Sequence, residues 1–226
     1  MQKRARTLLV WLHVVTSVGW MSQAVALLAL LLYGMKTGDV NAFKMARFLD
    51  HRVLAVMANI SAFSGMMLSA TTPWGYFRHW WVLVKFVITV VQLYVGIFIL
   101  SGNLEAAADG HVTAWMPVGT ALMISAIAFQ AWLSVAKPWG RTPWADPKVK
   151  LPTASAVTFV VALAVPAIDV AISLHTGGPR PLFMLVTVIV HAITRAARGR
   201  SRSSAASGRG TAAGPARRDA GAPSPR

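Results

Sequence analysis

TLLVWLHVVTSVGWMSQAVALLALLLY, residues 7–33, runs for 27 residues without one Asp, Glu, Lys or Arg. An α-helix rises 1.5 Å per residue, so ~20 apolar residues cross a hydrocarbon core ~30 Å thick, and this run is long enough to cross it tilted. One histidine, His13, interrupts it. At 100° per residue, His13, Thr16, Ser17, Trp20 and Ala24 fall on one side, and Trp11, Val15, Val18, Val25 and Ala29 on the other. The first side is polar or small and predicts a helix–helix interface; the second predicts lipid contact. Lys3, Arg4 and Arg6 precede the run as in a signal peptide, and Ala24-Val25-Ala26 has the form of a cleavage site. The run is much longer than a signal-peptide core, so an uncleaved first span is expected.

Working outward, Gly34 to Asp39 breaks the helix and offers Asp39 as an N-cap. A segment follows that begins amphipathic and turns apolar, giving a second span from about Arg52 to Thr71. Thr72-Pro73-Trp74-Gly75 stops it. Trp80 to Leu100 makes a third, with paired tryptophans at its entrance as interfacial anchors. Ser101 to Ala114 reads as a loop, Trp115 to about Ala136 as the fourth span, and Pro138-Trp139-Gly140 as its stop. After a proline-rich stretch come a fifth span, Thr153 to Leu174, and a short sixth, Leu182 to Thr194. The fold class is therefore all-α: a polytopic transmembrane bundle of about six helices over residues 1–198, a four-helix core plus two C-terminal helices. Residues 199–226 are rich in Arg, Ser, Ala, Gly and Pro, and predict a disordered basic cytoplasmic tail able to contact anionic lipid. Leu68 to Gly75 and Leu133 to Gly140 share L-S-x-x-x-P-W-G, the pattern either of a duplicated hairpin or of two similar interfacial helix stops.

With 55% hydrophobic residues and mean hydropathy +0.55, the chain is too apolar for an ordinary soluble domain. Its net charge of +15 comes from residues at the ends of apolar runs and in the tail, without a groove-reading motif, so the partner is the lipid bilayer and not nucleic acid. With the N-terminus inside, 16 of the 22 Lys and Arg fall on the cytoplasmic side and 5 outside, Lys85 lying within a span. This bias favours an even number of spans with both termini cytoplasmic in a bacterial plasma membrane. Lys36, Lys44, Arg47 and Arg52 dissent on the outside, as they would if that segment lay along the interface. With no cysteine, a metal or haem ligand is limited to His, Met or carboxylate.

Each span carries its rare polar residue among small neighbours at i, i+4 and i+7, so the bundle is expected to have a polar axis. Asn59, Gln92 and Gln130 suit interhelical hydrogen bonds. His13 and Lys85 lie at similar depths, about 6 to 9 Å from the cytoplasmic end, and His191 near the inner end of the sixth helix matches them. The three can form a cofactor or small-ligand site near the inner leaflet, with His13 as the metal ligand. A lone membrane histidine can equally be a hydrogen-bonded packing residue, and Lys85 is shallow enough to snorkel. Asp169, three residues after Pro166, reads as a protonated carboxyl, a cap for broken backbone or a proton relay. Glu105, Asp109 and His111 read as a cation site outside or as solvated loop residues. The ten methionines suit copper(I) or gap filling. No catalytic triad, phosphate loop or dinucleotide fingerprint is present.

Leu12-His13 with Trp20 seven residues on, and Trp80-Trp81-x-x-x-Lys85 opening the third span, resemble a group of small bacterial membrane proteins. The group comprises the copper-resistance protein D family, the HemJ-type protoporphyrinogen oxidases and their uncharacterised integral membrane relatives. The resemblance covers about Thr7 to Trp139, with Trp20-Met21-Ser22-Gln23 departing from the HemJ pattern, and the uncharacterised relatives fit best. Similarity to the HemJ type implies haem b, with His13 as ligand and Lys85 as its functional partner; similarity to the copper family implies a permease. A non-catalytic membrane component, alone or as a homo-oligomer, is the remaining alternative.

Overall fold

The computed structural model describes residues 2–145, 153–177 and 179–194. Six helices follow in order: α1 Gln2–Thr37, α2 Val40–Thr71, α3 Trp80–Ala108, α4 Met116–Ala136, α5 Ala156–Thr176 and α6 Leu182–Thr194. Among the described residues there is no strand, and five helices are long and apolar enough to cross a membrane. The all-α polytopic bundle is thus what the chain forms. By contacts it divides into a unit from Met1 to Val188 and a second from Ile189, of which residues 189–194 are described. The tail expected from residue 199 lies outside the described residues.

α1 is the central helix, packed against α2, α4 and α5. Its two sides separate as the wheel requires: Thr16, Trp20 and Ala24 are buried, while Trp11 (61% exposed), Val15, Val18 and Val25 face outward. α5 joins the same core, Phe159 and Ala162 packing with Leu9, Phe63 and Met67.

Three helices outrun their expected bounds. α2 starts at Val40, where the Asp39 side chain accepts the N–H of Asn41 at 2.9 Å, and it runs unbroken through Arg52. α3 continues past Leu100 to Ala108, so the loop expected from Ser101 shrinks to the residues after Asp109. With 36, 32 and 29 residues, α1, α2 and α3 are ~54, ~48 and ~44 Å long, well beyond a ~30 Å core. The extra turns persist because they bury an apolar cluster of their own: Leu27 and Leu31 of α1, Phe43 and Ala46 of α2, and Leu104, Ala107 and Ala108 of α3. Lys44 and Arg47 thereby sit on a helix packed against the bundle. α2 and α3 each also contain one π-helical segment, Asp50–Leu54 and Gly96–Leu100.

The two Pro-Trp-Gly stops interlock. Thr142 N–H donates to the Arg78 carbonyl at 3.0 Å, and the Thr142 hydroxyl and Trp144 indole N–H both donate to the Phe77 carbonyl, at 2.6 and 2.8 Å. His79 and Arg141 form an isolated antiparallel bridge. Lys137 lies over the Trp74 ring, 5.3 Å from its centre, and Trp80 meets Trp144 edge-on. The repeated motif therefore builds one aromatic clasp that fixes the α2–α3 turn against the end of α4. Next to it, the Ala154 N–H donates to the Thr71 carbonyl, tying the start of α5 to the end of α2.

Candidate functional site

His13 is held by α2. Its Nδ1 lies 3.0 Å from the Ser61 carbonyl and 3.1 Å from the Ser64 hydroxyl. A carbonyl only accepts, and the Ser64 hydroxyl hydrogen is engaged by the Ile60 carbonyl at 2.6 Å, so Nδ1 carries the proton. In a neutral ring the lone pair is then on Nε2, which takes no hydrogen bond among the described residues. Ser17, one turn along, donates to the His13 carbonyl at 2.6 Å and meets the Ser61 hydroxyl at 2.7 Å. α1 and α2 can approach this closely because Gly65 faces the ring: a methyl there would come within 2.8 Å of Cε1.

Lys85 is held by α4 instead. Its Nζ donates to the Ser134 hydroxyl at 2.5 Å. Above it a ladder joins α3 to α4: Thr89 donates to Gln130 Oε1 at 2.9 Å, Gln130 Nε2 to Gln92 Oε1, and Gln92 Nε2 to the Met123 carbonyl at 3.0 Å. The glutamines are thus interhelical links, each carboxamide using a donor and an acceptor. The structure shows no direct bond between His13 and Lys85, each being held by a different helix. His191 falls in the second unit, where its carbonyl accepts the Thr194 hydroxyl at 3.0 Å.

Asp169 caps, but not where the sequence suggests. The carboxylate, 1% exposed, accepts the N–H of Phe183 at 3.1 Å and of Met184 at 2.8 Å, the free donors of the first turn of α6. Ser173, one turn later, accepts the Arg180 N–H at 3.1 Å. The carboxylate caps a second helix across the turn, and not the backbone freed by Pro166.

A further polar group escapes notice in the sequence. Asp50, 7% exposed, takes the Ser101 hydroxyl on Oδ2 at 2.7 Å, with His51 Nε2 3.9 Å from the same oxygen and 3.6 Å from Glu105. In the sequence it sits between Arg47 and Arg52 in what reads as a surface segment, and the one available signal is its place where that segment turns apolar. Among the described residues, no group of three His, Asp or Glu side chains is arranged to hold a metal ion. Comparison of the chain with protein-family models, with curated proteins and with solved structures gave no match.

Proposed function

We propose that this multi-pass membrane protein binds haem or another small ligand near the inner leaflet of a bacterial plasma membrane, with His13 as the ligating group and Lys85 as the counter-charge. The observation that carries the reading is the His13 tautomer. Nδ1–H donates to a backbone carbonyl, which orients the ring and leaves Nε2 basic, the arrangement by which proteins present imidazole to a metal. Imidazole is a donor type that haem b takes, and the resemblance to HemJ-type proteins suggests that group, which would bind once α2 gave way beside Gly65 and would then supply one-electron redox chemistry. Lys85, bonded among the described residues only to a neutral hydroxyl, suits a propionate or an acidic substrate group. His191 is the second choice of ligand.

Protein expressed with ample haem is expected to show a Soret band. His13→Ala should lose most of it, and Lys85→Met should weaken binding while leaving the fold intact. An unchanged band in His13→Ala moves the ligand to His191. A colourless, well-folded preparation after haem reconstitution defeats the haem reading and leaves the non-catalytic component, which the ladder of Gln92, Gln130 and Thr89 favours because those groups satisfy one another.

The orientation belongs to the same proposal, both termini cytoplasmic with six crossings, from the 16 to 5 charge asymmetry. The described part of α6 rises only ~20 Å, so a crossing by this helix calls for local thinning of the bilayer. Because α3 stays helical through Gly102, reporters that are active only outside are best fused after Gly110 and Gly177; both are expected to be active, and one after Gly208 silent. Activity at Gly208 gives an odd number of crossings and refutes the topology.

A further inference from the structure

The two π-helical segments face the same cavity, of about 50 Å³, at the end of the bundle away from the Pro-Trp-Gly clasp. Leu54, Gly96, Leu100 and Met123 make its wall apolar, and among the described residues Asp50 is the one ionisable group on it. π-Helical insertions recur at functional sites because each pushes one extra residue out of helical register. Here they bring Asp50, the first residue of one, to the hydroxyl of Ser101, just past the other. Only Oδ2 is used by that bond; Oδ1 accepts no hydrogen bond among the described residues, and no Lys or Arg side chain pairs with the carboxylate there.

We propose that this cavity binds the ammonium head of a small organic amine, with Asp50 Oδ1 as its acceptor. A carboxylate surrounded by aliphatic groups is costly unless a cation joins it, and His51, 3.9 Å from Oδ2, is outside hydrogen-bonding range. An inorganic cation would need about six oxygens. Among the described residues, the only other side-chain oxygen on the wall is that of Thr120, whose hydrogen goes to the Met116 carbonyl at 3.0 Å; with the two of Asp50 that makes three, short of about six. An ammonium needs one good acceptor and gains from the apolar wall through its alkyl part. At roughly 10 to 15 Å³ per water-sized site, the space takes a chain of a few heavy atoms and excludes bulky quaternary heads.

The test uses full-length protein in detergent at neutral pH, with n-propylammonium chloride as the probe and 1-propanol as its neutral counterpart. The amine is expected to raise the melting temperature saturably, and propanol to leave it unchanged. Asp50→Asn, which keeps an oxygen for Ser101, is expected to weaken the apparent amine affinity by at least about tenfold, the usual loss when a charge-assisted hydrogen bond becomes neutral. Met123→Phe, which fills the cavity and leaves Asp50 in place, is expected to abolish the shift. If Asp50→Asn does not fold, the Met123→Phe result and the amine-to-propanol comparison decide. Equal shifts from propanol, no saturable shift from the amine with folded wild-type protein, or an undiminished shift in Met123→Phe each overturn the proposal.

Discussion

Asp169→Ala is expected to lower the melting temperature of the detergent-solubilised protein by roughly 5 to 10 °C, the largest loss of any single polar substitution in the bundle. Phe183 and Met184 lie in the first turn of α6, where the helix has no carbonyl of its own to offer their N–H groups. The Asp169 carboxylate supplies acceptors to both while 1% exposed, so alanine would strand both donors where water does not reach. A lost side-chain cap costs about 1 kcal/mol, and a hydrogen bond to a charged group about 1.5 to 3, which puts the sum near 2 to 4 kcal/mol. For a chain of this size, 1 kcal/mol moves the midpoint by about 2 to 4 °C. Asp169→Asn keeps one acceptor oxygen but turns an amide NH₂ towards a backbone donor, so it should lose about half as much. The measurement is thermal unfolding of the three proteins side by side. Equal melting of wild type and Asp169→Ala would show that the carboxylate is not what holds the first turn of α6.

Asp169 also marks where the sequence stops being legible. A lone acid in an apolar run announces that something must satisfy it, but Phe183 and Met184 lie 14 and 15 positions away across a turn, a pairing no periodicity encodes. The α1 stripe is the opposite case. Its two faces are set by the 100° step alone, and Trp20 and Trp11, nine residues apart, fall on the buried and exposed sides that the wheel gives them. The Pro-Trp-Gly repeat is legible as two stops, while their mutual clasp depends on the Phe77 carbonyl, a backbone atom with no sequence signature. The π-helical segments are hidden for a related reason. A single inserted residue shifts the hydrophobic phase by about 100°, which in a helix apolar on most sides leaves no visible break. Asp50 and Ser101 consequently meet without any motif to foretell it, and α2 and α3 extend beyond their expected ends for the sake of a cluster that forms only when three helices are assembled.

At the His13 site, Gly65→Val is expected to be destabilising, whereas Gly102→Ala, also in a helix interior, is expected to be neutral or slightly stabilising. Nothing lies within 4 Å of a methyl placed at Gly102, so alanine there gains the roughly 0.5 to 1 kcal/mol by which it exceeds glycine as a helix former. A Cβ at Gly65 meets Cε1 of His13 at 2.8 Å, Nδ1 at 3.4 Å and Nε2 at 3.5 Å, so the whole imidazole edge lies across the glycine. The ring cannot yield as a free chain end would, because Nδ1 is fixed to the Ser61 carbonyl; relief means breaking that bond or spreading α1 from α2. Overpacking of this kind costs about 1 to 3 kcal/mol, and a branched residue recovers little of it through helix propensity. The double variant His13→Ala with Gly65→Val should therefore melt closer to His13→Ala alone than Gly65→Val does to wild type, since removing the ring removes the clash. If haem binds at His13, Gly65→Val should also lose the Soret band, by turning Nε2 away without altering the ligand itself. Wild-type melting in Gly65→Val would refute the close approach of α1 to α2 at this level, and with it the fixed tautomer on which the His13 reading depends.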